Sequence, residues 1–412
     1  MISSCVIAMV AGAASDFALH DGDVVVFLGD SITAARTYSK IIENYTLLRF
    51  PDRKIRFVNA GRGGDTASGG LARLENDVFS HGPTVLIVAY GVNDIGWGVR
   101  ADDAHKKKYL DGVRGIVDQC RQRKIRVFVC SAAATAESPA KSETGFLQKM
   151  CDEGMGLARS AGEQSIDVQR SMREIQKRIA AANERRKDDK GKASLHVADG
   201  VHLTDLGQLA MAFAILKGLN APADVSSVHV NARDGNVVAA GCTVSDVERK
   251  EGGLEFTRLD EGLPFNYGIF YALNYQYIPL PGELARYMLR VEGLQEGKYQ
   301  IAVDGRSLGA FPADRLASGV NLTFATADPW QPGGPWNAQA NVLKGLTDAR
   351  HELTVAEMQG RASLPTDGLP KEFAPVFAKV DADLVSLQRK TAHPRPYRFV
   401  IRPHSEPPKS KP

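Results

Sequence analysis

The chain has 412 residues, a formal net charge of +3, and a composition of 43% hydrophobic and 24% charged residues. This length exceeds one typical hydrophobic core, so we expect a globular protein of two domains. The small net charge argues against nucleic acid or an anionic membrane surface as a partner, and no segment is long and apolar enough to cross a bilayer.

The N-terminal segment combines an apolar run with a small-residue stretch. Residues 5–11 are apolar and residues 11–15 are small, which resembles the h-region and cleavage site of a signal peptide, although no Lys or Arg precedes them. We interpret residues 1–20 as a signal peptide or an N-terminal arm, and we expect export to the periplasm or the medium.

The first strand ends in Gly-Asp-Ser. Residues 24–28 are β-branched or apolar and predict a buried strand, Gly29 allows a sharp turn, and a helix is expected at about residues 38–48. Ser31 then lies at the carboxyl end of a strand, where α/β sheets bind their ligands and where helix N–H groups favour negative charge. On these residues alone, Ser31 is either a nucleophile or an ordinary helix-capping residue.

Strands and helices alternate through the rest of the first half. Further strands are predicted at residues 55–60, 83–90 and 125–130, with helices at about 68–79, 105–123, 142–161, 167–183 and 205–216. The turn at residues 61–66 is rich in glycine but has neither P-loop nor dinucleotide-binding spacing. This alternation predicts a layered α/β fold with a mainly parallel sheet.

The pattern changes near residue 221. Short alternating segments at residues 227–231, 254–258, 287–291 and 299–303 predict a small β-rich domain of antiparallel strands, with a hairpin turn at Asp304-Gly305. Helices are expected at about residues 337–359 and 374–390. The domains are therefore predicted at residues 21–220 (α/β), 221–325 (β-rich), 326–392 (a loop and helices) and 393–412 (an extended basic tail).

Four segments carry the chemistry: Gly29-Asp30-Ser31, Gly63-Gly64-Asp65-Thr66, Gly91-Val92-Asn93-Asp94 and Asp199-Gly200-Val201-His202. The first three each follow a strand and the fourth precedes a helix, so a parallel sheet brings them to one edge. In order, spacing and context they resemble the four blocks of the SGNH hydrolases, also called GDSL esterases, over residues 21–219. The resemblance implies a flavodoxin-like three-layer α/β/α domain and a carboxylic ester hydrolase.

The resemblance also implies a role for each residue. Ser31 is the expected nucleophile, His202 its general base and then acid, and Asp199 the carboxylate that orients His202. The oxyanion hole is expected to consist of the backbone N–H groups of Ser31 and Gly64 and the side-chain amide of Asn93. Each residue also has a structural alternative: a turn for Asn93 and Gly64, a cap for Asp199, and the protein surface for His202.

Three further side chains are candidates for substrate binding. Arg62 departs from the small or hydrophobic residue that many family members have, and it either binds an acidic group or faces solvent. Trp97 and Tyr90 are candidates for stacking on a sugar ring, and Tyr90 has core packing as its alternative. Asp30, Asp65 and Asp94 are expected to organise their turns.

The cysteines and histidines predict no metal site. The cysteines show no metal-ligand spacing, and we expect buried free thiols, or one disulfide among Cys120, Cys130 and Cys151 if the protein is exported. The histidines form no metal-spaced cluster. The expected chemistry needs no cofactor.

The sequence therefore predicts a serine esterase that removes short acyl groups, acetyl foremost, from a carbohydrate. The alternatives are a lipase, thioesterase or lysophospholipase on the same scaffold, and a carbohydrate-binding protein with an inactive hydrolase core. The expected partner is a small-molecule or polysaccharide ester, and the sequence leaves the oligomeric state open.

Overall fold

The computed structural model describes residues 7–10, 17–186, 191–250, 252–266, 268–363 and 373–404. Of the predicted signal peptide or arm, residues 1–6 and 11–16 lie outside this described part. The chain forms two compact units. Among the described residues, those within 17–43 and 53–221 form the α/β unit, and those within 7–10, 44–52 and 222–404 form the β-rich unit.

The strands follow the chain in this order: β1 (Ile7–Val10), β2 (Val24–Gly29), β3 (Arg56–Gly61), β4 (Val85–Ala89), β5 (Arg126–Cys130), β6 (Gln164–Ile166), β7 (Asp224–Asn231), β8 (Val237–Ala240), β9 (Cys242–Lys250), β10 (Gly253–Asp260), β11 (Arg286–Glu292), β12 (Lys298–Val303), β13 (Arg306–Pro312), β14 (Val320–Asn321) and β15 (Tyr397–Pro403). The α-helices are α1 (Ser31–Ala34), α2 (Thr37–Arg49), α3 (Ala67–Ala72), α4 (Leu74–Asp77), α5 (Asp103–Gln122), α6 (Pro139–Glu143), α7 (Phe146–Ser160), α8 (Val168–Glu184), α9 (Asp205–Gly218), α10 (Ile269–Ala272), α11 (Leu280–Glu283), α12 (Ala313–Ser318), α13 (Trp336–Ser363) and α14 (Phe373–Ala392).

The sheet of the α/β unit is entirely parallel, in the order β3-β2-β4-β5-β6. The chain moves from β2 outward to β3 and then crosses to the other side of β2 to form β4. This is the flavodoxin-like order, in which ligands bind beside the strands where the direction of winding reverses. The predicted parallel α/β fold is confirmed, and the winding reverses between β2, which precedes Ser31, and β4, which precedes Asn93.

Burial explains why these segments form strands and helices. Strands β2 and β4 are almost wholly buried, because parallel sheets carry helices on both faces. Helix α5 begins where Asp102 accepts a hydrogen bond from the His105 N–H, and its apolar side chains pack into the core. Cys120, Cys130 and Cys151 are buried free thiols, so the free-thiol interpretation is confirmed in this structure and the disulfide alternative is not.

The β-rich unit contains two five-stranded sheets, with strand orders β1-β8-β7-β11-β14 and β13-β12-β15-β10-β9. The second sheet is antiparallel as predicted, and Asp304 and Gly305 both adopt positive φ angles in the β12–β13 hairpin. In the first sheet, however, β1 pairs with β8 and β7 pairs with β11 in parallel. The expectation of antiparallel strands is wrong for these two pairs, and the long connection from β7 to β11 makes a parallel return feasible. The β7–β8 and β11–β14 pairs are antiparallel as predicted.

The basic segment after residue 392 is part of the β-rich unit. The sequence predicts an extended tail here. Strand β15 is extended, but it is not a tail, because it lies between β10 and β12 and pairs with both. Tyr397, Phe399 and Ile401 are fully buried at alternate positions, which is the pattern of a half-buried strand. Residues 405–412 lie outside the described part of the chain.

Candidate active site

Ser31, His202 and Asp199 form a continuous hydrogen-bonded chain. His202 Nε2 lies 2.9 Å from Ser31 Oγ, and His202 Nδ1 lies 2.6 Å from Asp199 Oδ2. The structure thus brings together a serine and a histidine that are 171 positions apart in the sequence. A carboxylate on Nδ1 keeps the proton on that nitrogen, which leaves Nε2 as an acceptor for the serine proton.

Asp199 is held as an ionised carboxylate. Its Oδ1 accepts the backbone N–H groups of Val201 and His202, each at 2.8 Å, while its Oδ2 faces the imidazole. The hydrogen bond from His202, together with these two backbone bonds, lowers the pKa of Asp199 to about 2. The carboxylate is therefore charged at neutral pH and held in a fixed orientation beside the imidazole.

A short hairpin carries Asp199 and His202. His196 and Leu203 form an isolated antiparallel bridge, and the Val197 N–H donates to the His202 carbonyl at 2.9 Å. Two contacts fasten this hairpin to the segment after β5: the Ala136 N–H donates to the carbonyl of Gly200, and His196 Nε2 lies 2.7 Å from the carbonyl of Ala134. Burial lowers the pKa of His196, which favours the neutral form of this imidazole.

Ser31 is the first residue of helix α1. The Asp30 side chain caps this helix by accepting the Ile32 N–H at 2.9 Å. Ser31 is only partly buried, whereas Asp30 is 6% exposed. Burial raises the pKa of Asp30 from 3.8 to about 6, against the opposing effects of the Ile32 hydrogen bond and of His202.

The glycine-rich loop after β3 is held by a buried carboxylate. Asp65 Oδ2 accepts hydrogen bonds from Arg73 Nε and from the Tyr90 hydroxyl, each at 2.8 Å. The Arg62 N–H donates to the carbonyl of Gly29, which ties the same loop to the end of β2. Gly64 adopts φ +72° and is exposed, so its backbone lies in a left-handed turn that glycine accommodates without strain.

Asn93 connects this loop to the turn after β4. Its Nδ2 donates to the Asp65 carbonyl at 3.0 Å, and its Oδ1 accepts the Trp97 indole N–H at 2.9 Å. The amide therefore has a defined orientation beside Gly64 and Asp65. The neighbouring Asp94 supports the loop as well, because its Oδ1 accepts the Ala67 N–H at 3.0 Å.

The three substrate-binding candidates have different environments. Tyr90 is 2% exposed and its hydroxyl is engaged by Asp65 and Arg73, so it packs in the core and its ring face is closed to a sugar. Arg62 is exposed beside Gly64. Trp97 is 48% exposed, and its ring meets that of His202 edge to face at 5.5 Å between centroids.

Arg73 is the site residue that sequence reasoning missed. It is 8% exposed and contacts Asp65, Asp77 and Tyr90 from helix α3's C-terminal end. The only signal in the sequence is a cation among the apolar positions Leu71 and Leu74, and nothing local identifies its partners. No group of three His, Cys, Asp or Glu side chains suited to a metal ion occurs in the part of the chain that the structure describes.

A sequence model described as the GDSL-like lipase/acylhydrolase family matches residues 27–210. No curated protein matches the sequence significantly. Among solved structures, the chain is similar to a gut microbial diltiazem-metabolizing enzyme, with 24% identity, a TM-score of 0.79, and coverage of 94% of this chain and 98% of that chain.

Two smaller structures match about half of the chain. Axe2, an acetylxylan esterase from Geobacillus stearothermophilus, has 20% identity and a TM-score of 0.41, and the match covers 49% of this chain and 96% of that one. LAE5, an α/β hydrolase enzyme from the metagenome of Lake Arreo, has 20% identity and a TM-score of 0.40, with 49% and 97% covered. At these identities the similarities concern the fold alone. Within the described residues, no helix is both long and apolar enough to span a membrane.

Proposed function

We propose that this chain is an esterase that removes short acyl groups, above all acetyl, from carbohydrate hydroxyls. The premise is that residues 27–210 form a GDSL-like lipase/acylhydrolase domain. The observation that carries the proposal is the hydrogen-bonded chain from Ser31 Oγ through His202 to Asp199, with distances of 2.9 and 2.6 Å. A nucleophile, its base and the group that orients the base are in contact before any substrate binds.

Acylation of the enzyme begins at Ser31. Its hydroxyl proton passes to His202 Nε2 while Oγ attacks the ester carbonyl carbon. The tetrahedral intermediate then collapses as the bond to the sugar oxygen breaks, and His202 returns the proton to that leaving oxygen. Asp199 stabilises the imidazolium in both steps. Water, deprotonated by His202, next attacks the acyl-enzyme and releases the carboxylic acid and free Ser31.

The oxyanion of each intermediate needs donors that are already in place. The backbone N–H groups of Ser31 and Gly64 and one Nδ2 hydrogen of Asn93 fill this role in the proposal. Hydrogen bonds fix the surroundings of each: Asp30 caps helix α1, Asp65 anchors the loop of Gly64, and Asp65 O and Trp97 hold Asn93. One such donor is worth about 3 kcal/mol of activation free energy.

The surroundings of Ser31 favour a short acyl group and a polar alcohol. The cavity lined by Asp30, Thr33 and Tyr90, beside the turn that carries Ser31, has a volume of about 10 Å³, which is room for one water and too little for an acyl chain. On the outer side, His202 and Asp199 are about one-third exposed, and Arg62 and Trp97 are exposed. An open, polar approach suits a carbohydrate better than a lipid chain.

A series of p-nitrophenyl esters and the Ser31→Ala variant test the proposal. We expect the activity of the natural chain to fall steeply beyond acetate, and Ser31→Ala to lower kcat by at least about a thousandfold because the nucleophile is lost. Ser80→Ala, which changes an exposed serine, is the matched control and keeps full activity. Acetate release from a panel of acetylated polysaccharides then identifies the alcohol.

Two outcomes would contradict the proposal in different ways. Retention of activity by Ser31→Ala would refute the catalytic assignment. A preference for long acyl chains or thioesters would refute the acetylesterase specificity and would favour a lipase or thioesterase on the same scaffold.

A further inference from the structure

The Trp97 side chain contacts two members of the proposed catalytic machinery at once. Its indole N–H donates to Asn93 Oδ1 at 2.9 Å, and its ring lies edge to face against the His202 imidazole, at 5.5 Å and 72°. Asn93 is the proposed side-chain donor to the oxyanion, and His202 is the proposed base. The sequence alone suggested a different use for Trp97, which was to stack on a sugar ring.

The hydrogen bond from Trp97 determines which way the Asn93 amide points. An indole N–H can only donate, so the atom that faces Trp97 must be the amide oxygen. The opposite side of the amide donates from Nδ2 to the Asp65 carbonyl at 3.0 Å, which requires the same orientation. Among the contacts of the described residues, Asp65 O is the one partner of Nδ2, and its second hydrogen is left for an oxyanion.

The backbone of Trp97 supports a specific role for its side chain. Trp97 has φ 57° and ψ 30° within the turn Gly96–Gly98, in the left-handed region that non-glycine residues rarely adopt. Both neighbours, Gly96 and Gly98, also have positive φ angles. The turn thus holds a bulky residue in an unfavourable conformation, and this conformation places the indole N–H on Asn93.

We propose that Trp97 is a positioning residue that acts through Asn93: it fixes the amide so that Nδ2 faces the oxyanion, and it packs against His202. This inference rests on the proposed function of Ser31, His202 and Asn93. Enzyme kinetics distinguish this role of Trp97 from stacking on a sugar ring. Loss of a positioning residue changes kcat, whereas loss of a stacking residue changes KM with little effect on kcat.

A double-mutant cycle between Trp97 and Asn93 tests the inference. Trp97→Phe keeps an aromatic ring beside His202 but removes the N–H. We expect it to lower kcat for p-nitrophenyl acetate about tenfold, the rate equivalent of one neutral hydrogen bond, and to change KM less than about twofold. Asn93→Ala lowers kcat about a hundredfold or more. In the Asn93→Ala background, Trp97→Phe should have little further effect on kcat, because the amide it positions is gone.

The outcomes separate this inference from the proposed function. If Trp97→Phe lowers kcat by the same factor in both backgrounds, or if its whole effect is on KM, the positioning role is refuted and the esterase assignment stands. If Ser31→Ala or Asn93→Ala leaves kcat unchanged, the proposed function itself fails. Trp330→Phe, which changes an exposed tryptophan elsewhere, is the matched control, and equal thermal unfolding midpoints show that each variant is folded.

Discussion

At the scale of single residues, Asp199 and Asp94 show how two carboxylates near one site acquire opposite properties. Asp199 is one-third exposed and accepts three hydrogen bonds, and its pKa falls to about 2. Asp94 is 7% exposed and one of its oxygens has no partner, so burial raises its pKa to about 6. The first carboxylate therefore stays charged beside the imidazole, and the second favours its proton.

The raised pKa of Asp94 makes stability depend on pH. The folded chain holds the Asp94 proton more tightly than the unfolded chain, whose value is about 3.8, so the resulting stabilisation is complete below about pH 4 and is lost as the pH rises through about 6. Between pH 5 and pH 8, titration of this group lowers the free energy of unfolding of the wild-type chain by about 1–2 kcal/mol, whereas Asp94→Asn has no such decrease. We therefore expect the stability of Asp94→Asn relative to wild type to rise by that amount over the same range.

Urea unfolding at pH 5 and at pH 8 measures this difference. Asp118→Asn, a change at an exposed position of helix α5, is the control. An Asp94→Asn variant whose stability relative to wild type is the same at both pH values would show that Asp94 does not titrate in this range.

At the scale of elements, glycine residues allow helices of the α/β unit to pack closely against neighbouring segments, because glycine has no side chain. A Cβ at Gly61, the last residue of β3, would lie 2.3 Å from the Ala34 backbone nitrogen, so helix α1 rests directly on the end of that strand. In helix α7, a Cβ at Gly154 would lie 2.8 Å from the Tyr109 hydroxyl and 2.9 Å from its ring, whereas at Gly156 the nearest atom is 3.9 Å away. Helix α7 therefore depends on glycine at one of these positions and not at the other.

This contrast predicts opposite effects of the same substitution within one helix. Gly154→Ala forces the buried Tyr109 to move and should destabilise the chain by about 1–3 kcal/mol. Gly156→Ala adds a methyl group in open space and should stabilise it by about 0.5–1 kcal/mol through helix propensity. Thermal unfolding of the two variants beside the wild type measures both, and a stabilising Gly154→Ala would show that Tyr109 yields without cost.

At the scale of the whole molecule, the β-rich unit is completed only by the last strand that the structure describes. Strand β15 supplies the middle of a five-stranded sheet, and its buried Phe399 stacks on Phe256 of β10 with ring centroids 5.0 Å apart. A second aromatic contact also reaches β15, because the Trp336 ring packs edge-on against Tyr397 with ring centroids 6.0 Å apart. This sheet therefore needs residues 397–403 to join β10 to β12.

Truncation of the Phe399 side chain tests how far the stability of this sheet depends on strand β15. Phe399→Ala removes a fully buried ring and should cost about 3–5 kcal/mol, whereas Val400→Thr, on the partly exposed opposite face of β15, should cost much less. Urea denaturation followed by tryptophan fluorescence compares the two variants. Equal stability of both would show that the segment from residue 397 is not an integral strand of the sheet.

The sequence by itself was sufficient for the α/β fold and for grouping the candidate site. Strand–helix alternation predicts a parallel sheet, and the carboxyl ends of parallel strands share one edge, so Ser31, Gly64 and Asn93 could be assigned to one place without coordinates. The three-residue spacing of Asp199 and His202 is likewise local, as is the Asp304-Gly305 hairpin. These features follow from periodicity and turn chemistry within short segments.

Only the tertiary structure decided the contacts between distant segments. The burial of Tyr90, its pairing with Asp65 and Arg73, and the hydrogen bond by which Trp97 orients Asn93 depend on how three βα turns meet in space. The parallel pairing of β7 with β11 and the central position of β15 depend on pairings between strands that are far apart in the sequence. Side-chain partners and strand neighbours are set by packing across the whole chain, and no local pattern of residues encodes them.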